Sequence, residues 1–382
     1  MIYRKIGNTG MEAGVIGLGG EHLDLKPYED IKETVDACLY HGINMFDLFM
    51  PGTPVREHFG TALKGRRSDA VIQGHIGSVD LNQQYDKTRD LKITQKYFED
   101  LMRCLHTDYI DIGMLFFVDS KEDYEGVFNS EIWPYAQRLK REGKIRAIGA
   151  SSHSVGTSMK MVENGYIDVL MFSLNLAFDL TPTDDTGDIF ESFDHGFKTG
   201  EPVIDRQKAA LYQLCESRGV AITAMKTYGA GRLFSAERSP FKRAMTPAQC
   251  IHYALTRPAV VSAMLGMTRG AEVDAAVSYL TATDEERDYR RIAETFSGSF
   301  SGQCVYCNHC QPCPAGIDIG AVHRLLDAAT FGKGEGLAQV KDAYGRLKRA
   351  AADCTDCRGC EAKCPFGVNI TQNMGKARDI FG

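Results

Sequence analysis

The stretch that decides the fold runs from 110 to 150: IDIGML (110–115), FFVDSKEDYEGVFNSEIWPYAQRLKREGKIR (116–146), then AIGA (147–150). Ile110–Leu115 and Ala147–Ala150 are short apolar runs, the pattern of strands buried on both faces. Between them Gly126–Glu142 has the period of an amphipathic helix. Two parallel strands need a crossover, so strand, helix and strand in this order predict a parallel βαβ unit. The same rhythm extends in both directions. Strand-like runs occur at Val15–Leu18, Asn44–Phe46, Ala70–Gln73, Val169–Phe172, Ala221–Met225 and Val260–Leu265. Helical periods fall at Tyr28–His41, Val55–Leu63, Thr94–Leu105, Ser154–Asn164, Arg206–Arg218, Pro247–Thr256 and Ala271–Ala282. Eight such units predict a closed (β/α)8 TIM barrel, an α/β fold that about 290 residues suit. An open doubly wound sheet is the alternative. It calls for G-x-G-x-x-G after the first strand, and Gly17-Leu18-Gly19-Gly20-Glu21 lacks that spacing.

A hairpin precedes the barrel, with strands at Ile2–Lys5 and Glu12–Ile16 around Gly7-Asn8-Thr9-Gly10. The polar stretch 176–204 interrupts the rhythm after the sixth strand. A connection of that length reads as a lid or as a floppy insertion. Small residues at 297–302 mark a boundary between a barrel at 1–296 and a small, mainly helical unit at 297–382.

The 382 residues carry a net charge of −6 with no long basic run, so nucleic acid is not an expected partner. The start lacks an apolar core for a signal peptide, and no 18-residue apolar stretch follows. A cytoplasmic protein without a membrane span is expected.

Of 12 cysteines, Cys38, Cys104, Cys215 and Cys250 stand singly in amphipathic segments and read as small buried hydrophobes. The other eight form two runs: Cys304, Cys307, Cys310 and Cys313 at x2 spacings before Pro314, and Cys354, Cys357, Cys360 and, after three residues, Cys364 before Pro365. The second run is the bacterial ferredoxin pattern, in which the fourth cysteine ligates the other cluster. The first run is one residue shorter. By that rule Cys304, Cys307, Cys310 and Cys364 hold one [4Fe–4S] cluster, and Cys354, Cys357, Cys360 and Cys313 hold a second. Two all-cysteine zinc sites are the rival, but zinc does not require three cysteines at consecutive x2 spacing.

Several segments resemble the aldo-keto reductase superfamily: HGINMFDLF (41–49), TDYIDIGML (107–115), REGKIRAIGASSHS (141–154), AITAMKTYGAGRL (221–233) and TPAQCIHYALTRPAVVSAMLGMTRGAEV (246–273). With the cysteine-rich tail, the chain is similar to a ferredoxin-tailed branch of that superfamily. The resemblance implies a catalytic tetrad of Asp, Tyr, Lys and His. Here only the Asp remains, as Asp47. The Tyr position falls in LFMPGTP (48–54), His75 stands for the Lys, and Phe116-Phe117 for the His. Ser151-Ser152 and Met171 replace residues that hold the nicotinamide amide. Ordinary carbonyl reduction then lacks its acid. NADP(H) remains a possible cofactor, its phosphates held by Gly229, Gly231, Arg232, Thr268 and Arg269, with Lys226 as an anchor.

Active sites of this fold lie at the C-terminal ends of the strands. Glu21 and His22, Asp47, His75, Phe116 and Phe117, Ser152 and His153, Asn175, Lys226 and Tyr228 all fall there. Asp47, His75, His22 and His153 are the candidate catalytic residues, with Phe116 and Phe117 a dry wall or a platform for a ring-shaped substrate. A metal ion on these scattered groups is a further, weaker reading. The leading expectation is an oxygen-sensitive oxidoreductase passing electrons between two [4Fe–4S] clusters and a small-molecule substrate, served by a ferredoxin or flavodoxin-type donor. The alternatives are a lyase or isomerase with structural clusters, and an electron-transfer or partner-binding protein with an inactive barrel.

Overall fold

A computed structural model describes residues 1–24, 26–81, 84–180, 205–293, 302, 304, 310–331, 335–364 and 367–382. Eight parallel strands close into a barrel in the order β10-β11-β12-β3-β4-β5-β8-β9. These are β3 (Ile16–Gly19), β4 (Met45–Leu48), β5 (Val71–Ile76), β8 (Ile110–Leu115), β9 (Ile145–Ser152), β10 (Val169–Ser173), β11 (Ala221–Met225) and β12 (Val260–Gly266). Every predicted strand is present. Each is buried almost end to end, which is why apolar runs revealed them.

The interior is rich in methionine. Met45, Met114, Met171, Met225 and Met264 come from five different strands and join Ile112, Ala147, Val169 and Val261 in one buried cluster. Unbranched thioethers fill the irregular spaces that tilted strands leave. The hairpin β1 (Tyr3–Lys5) and β2 (Glu12–Gly14) adds Ile6, Met11 and Ala13 to the same cluster.

Two elements differ from expectation. The single helix expected at 126–142 is two helices, Lys121–Phe128 and Ile132–Arg141. Pro134 is the cause: it has no N–H and would clash with the preceding turn in a continuous helix, but it is tolerated in a first turn. Ser130 fills the break, its hydroxyl donating to Gly126 O and accepting from Ile132 N. A second antiparallel pair, β6 (Ser78–Leu81) and β7 (Gln84–Lys87), extends from the end of β5 and was not expected.

By contacts the chain forms two compact units. Residues 1–174, 221–227 and 261–282 make one, which holds the barrel strands; residues 175–220, 228–260 and 283–382 make the other. The second unit is helical, with Arg206–Arg218, Pro247–Thr256, Ile319–Phe331, Glu335–Gly345 and Ile370–Phe381 its longest elements. Its fully buried Asp179 accepts hydrogen bonds from Tyr212 Oη (2.7 Å) and Tyr253 Oη (2.5 Å). Most of the 176–204 insertion, most of the 297–302 linker, and Cys307 lie outside the described residues. Cys38, Cys104, Cys215 and Cys250 are all buried, and burial pushes the Cys38 thiol up to about 12.

Candidate functional site

In the barrel unit the strand register brings the first pair together. Asp47 on β4 lies opposite Gln73 on β5, and His75 follows two residues later on the same face. The Asp47 Oδ1 atom is 2.8 Å from His75 Nε2 and accepts from Gln73 Nε2 at 2.9 Å. Both the aspartate and histidine side chains are only 1% exposed. With Nε2–H given to the carboxylate, the ring's other nitrogen is left over. His75 Nδ1 and Gln73 Oε1 are buried and have no hydrogen-bond partner among the described residues. Buried orphans of this kind are uncommon and costly, and they mark a place where a bound molecule can supply the partner.

Aromatic rings wall this pair. His75 meets Phe116 edge-on at 5.2 Å, Phe116 and Phe117 stack at 4.2 Å, and Phe49 lies against both His75 and Phe116. Tyr85, from the unexpected hairpin, packs on Phe49.

A second pair stands on the other side of the stacked phenylalanines. His153, just past β9, meets Phe117 at 5.3 Å. Its backbone N–H donates to Asp119 Oδ1 (2.7 Å), its Nδ1 lies 2.9 Å from Asp119 Oδ2, and its Nε2 lies 2.8 Å from Lys226 Nζ. Burial would raise the Asp119 carboxyl, but hydrogen bonds and charge from His153 outweigh it and hold the group below the usual range. Burial pushes the Lys226 ammonium down, against Glu21 and Asp119, which act to raise it. Asp119 was not singled out in the sequence. The available signal was Asp119-Ser120-x-x-Asp123, where Ser120 and Asp123 already complete a capping box and leave one carboxylate over.

The remaining candidates are placed differently. His22 is exposed in a 3-10 turn (Gly20–Leu23), with its ring against Gly266 at the end of β12 and no hydrogen bond to it among the described residues. The expected dinucleotide-phosphate donors are engaged internally. Thr268 N–H and hydroxyl and Arg269 Nε bond Glu272, and the N–H of Gly270 donates to Glu33 Oε1 at 2.9 Å. In the second unit the N–H groups of Gly231 and Arg232 close turns onto Tyr228 O and Gly229 O. A dinucleotide phosphate taking up these particular N–H groups has to replace the protein's own acceptors.

Also in the second unit, Cys313, Cys354, Cys357 and Cys360 line one cleft, with Ile317, Ile370 and Met374 among its apolar walls. This set is the one the ferredoxin rule assigns to a single cluster, and it joins cysteines from both runs. Among the described residues no three His, Cys, Asp or Glu approach closely enough to hold one metal ion. Four thiols lining one cleft, with no three close enough to share one ion, fit a cubane better than zinc. The loop winds tightly at left-handed Asp356 (φ 53°) and Arg358 (φ 58°), and the Asp356 N–H points at Cys354 Sγ at 3.4 Å. N–H···S bonds of this kind tune iron–sulfur sites. The other predicted set includes Cys307, so it is not described as a whole. Of its members, Cys310 is buried while Cys304 and Cys364 are half-buried.

Comparison with known proteins agrees with this architecture. Residues 303–369 match the 4Fe-4S dicluster domain. L-galactose dehydrogenase of Arabidopsis thaliana is 28% identical over 180 residues, 44% of this chain and 54% of that protein. Aldo-keto reductase YhdN of Bacillus subtilis strain 168 is 32% identical over 167 residues, 41% of this chain and 48% of that one. The chain thus spans about half the length of the curated relatives it matches. Aldo-keto reductase AKR11C1 of Bacillus halodurans, in its holo form, superimposes with a TM-score of 0.59 at 20% identity, covering 78% of this chain and 96% of that one, a likeness of fold. The Aldo/keto reductase family profile matches residues 14–247, more than half of the chain, and the chain belongs to that family, with a 4Fe-4S dicluster domain at its C-terminal end.

Proposed function

We propose that this protein is an iron–sulfur oxidoreductase that exchanges electrons singly with a small, planar organic substrate in the barrel mouth and is not an ordinary NADPH-dependent carbonyl reductase. The observation that carries this reading is the buried Asp47–His75 pair, 2.8 Å apart, in a site where the family's Tyr, Lys and His are replaced. When bound, two [4Fe–4S] clusters supply one-electron transfer.

Asp47 accepts the Nε2 proton of His75 and so orients the ring, leaving Nδ1 to exchange a proton with substrate. Gln73 steadies Asp47 and offers Oε1 as an acceptor. Half-buried Phe49 and Phe117, with Tyr85, give a planar substrate aromatic faces to stack on. A ferredoxin or flavodoxin-type protein is the matching class of electron donor. A reducing compartment such as the cytoplasm suits so many free thiols. Among the described residues no helix is long and apolar enough to cross a membrane.

The test is to reduce the anaerobic protein with Ti(III) citrate and follow reoxidation by a panel of quinones, enones and enoates. Reoxidation by a member of the panel is expected. His75→Ala should lower turnover by about 10²- to 10⁴-fold, the usual worth of a general acid, with iron content unchanged. Full activity in His75→Ala, or no reoxidation by any acceptor, overturns the assignment.

A further inference from the structure

Hydride delivery brings hydrogen along with an electron pair, so one acid completes a carbonyl reduction. Electrons that arrive singly bring none. Reduction of an acceptor S then runs S + 2 e⁻ + 2 H⁺ → SH₂, and both protons must come from acids at the site. On the reading above, on which this inference rests, His75 accounts for one proton.

Three other strand ends supply a second donor. Asp119 follows β8, His153 follows β9 and Lys226 follows β11. Asp119 grips His153 twice, at its backbone N–H and at Nδ1, which fixes the ring and places Nε2 2.8 Å from Lys226 Nζ. A contact that short needs one donor and one acceptor. The contact therefore excludes two fully protonated nitrogens, and with Nδ1–H given to Asp119 the Nε2 atom accepts from Lys226 Nζ. The backbone is also left-handed at Lys226 (φ 58°) and Phe117 (φ 45°), the residues that touch His153 from either side. For residues with a Cβ this costs about 1–2 kcal/mol each and persists where surroundings over-determine it. At Phe117 those surroundings are Ser151 Oγ, which accepts from its N–H, and Arg89 Nη2, which donates to its carbonyl. His153 is 16% exposed and Asp119 32%, against 1% for His75. This centre can recharge from solvent, and it shares the wall of Phe116 and Phe117 with His75.

We propose that Asp119, His153 and Lys226 form a second proton-donating centre in the barrel mouth, with Lys226 the catalytic residue and Asp119 a positioning residue. One N–H bond breaks on His75 and one on Lys226, and two bonds to hydrogen form on the product. The two electrons come from a one-electron reductant of the ferredoxin class, and water returns both protons. Among the described residues Glu21 and Asp119 are carboxylates that act on Lys226, and Arg89 faces Asp119. Burial weakens the ammonium's hold on its proton.

One readout needs no substrate. Competitive acetylation of the anaerobic holo-protein with acetic anhydride, over a pH series and read by mass spectrometry, titrates each lysine. Lys226 should titrate below exposed Lys121, and Asp119→Asn should move it lower still. Co-titration of Lys226 with Lys121, or no movement in Asp119→Asn, overturns the proposal. The other readout uses Ti(III) citrate and any acceptor that reoxidises the clusters. Lys226→Met should lower turnover by about 10²- to 10⁴-fold. Lys226→Arg should do the same, because a guanidinium keeps the charge but does not release its proton. Asp119→Asn should retain partial activity with a displaced pH profile. Full activity in Lys226→Arg would make Lys226 an anchor and overturn its role as donor. If no acceptor works on the wild type, the electron-transfer reading falls while the lysine titration still decides this centre.

Discussion

Cys313 and Cys357 belong to different cysteine runs but line one cleft, and this makes a sharp prediction about iron content. If one cluster is held by Cys313 with Cys354, Cys357 and Cys360, then Cys313→Ser and Cys357→Ser remove the same group. Wild-type protein made without oxygen should contain about eight iron and eight sulfide per chain, and each single variant about four. The double variant should also contain about four, because the second substitution strikes a cluster already lost. If each run instead held its own cluster, the single variants would again show about four, but the double would fall to nearly none. Charge offers an independent count. Each oxidised cluster with four thiolates carries about −2, so the loaded chain should migrate on native electrophoresis nearer −10 than the −6 of the bare sequence, with all three variants between and alike. Iron, sulfide and mobility would be measured together. A double variant without iron, or wild-type protein with zinc in place of iron, refutes the reasoning.

Three further outcomes are expected. With NADPH and simple aldehydes the wild type should run near background, because the phenolic acid is absent; brisk reduction would show that another group has taken that role. A Cβ on Gly60 would stand 2.0 Å from Cys104 O and 2.7 Å from Leu105 Cα, both backbone atoms that cannot swing aside, so Gly60→Ala should cost about 1–3 kcal/mol or more and lower the apparent melting midpoint by several degrees in calorimetry. Burial pushes the Asp179 carboxyl up despite its two tyrosine partners; a carboxyl that titrates higher when folded makes stability fall as pH rises above about 4. Asp179→Asn removes that slope, so its melting midpoint should gain on the wild type's as pH rises above about 4, and parallel curves would contradict the assignment.

The barrel was legible because its signal is local. A strand buried on both faces must be apolar throughout, so IDIGML and AITAM announce themselves. Asp47 and His75 were legible from the family resemblance of HGINMFDLF and from their places at the C-terminal ends of strands. The hairpin at 78–87 escaped because SVDL and QYDK mix polar and apolar residues without a turn signal such as Asn-Gly. Asp119 escaped because it lies past the end of β8 in a segment whose other polar residues cap a helix. Its partner His153 is 34 residues away, and the parallel pairing of β8 with β9 brings them together. The left-handed backbone of Lys226 and Phe117 has no sequence signature, since neither is glycine.

The three tetrad replacements are better understood as one change than as three. An ordinary phenol titrates near 10 and an ordinary imidazole near 6.5. At neutral pH a phenol is a poor acid unless neighbouring cations favour its ionised form, so a tyrosine acid needs helpers and an imidazole does not. Once a histidine takes the proton, the lysine and histidine that served the phenol have no task. Their places can then go to groups that dry and shape the mouth, as Phe116 does at 1% exposure. On the proposed function Asp47 alone keeps a task, because an imidazole that gives a proton to substrate still needs an oriented acceptor on its other nitrogen. Asp47→Asn tests this directly. An asparagine matches the aspartate in shape and can still bond Gln73 and the ring, but its amide no longer specifies which ring nitrogen carries the proton. The expected result is a loss of turnover comparable to His75→Ala with unchanged iron and little change in melting. Retained activity would mean that Asp47 only supports the barrel and that the proton comes from elsewhere.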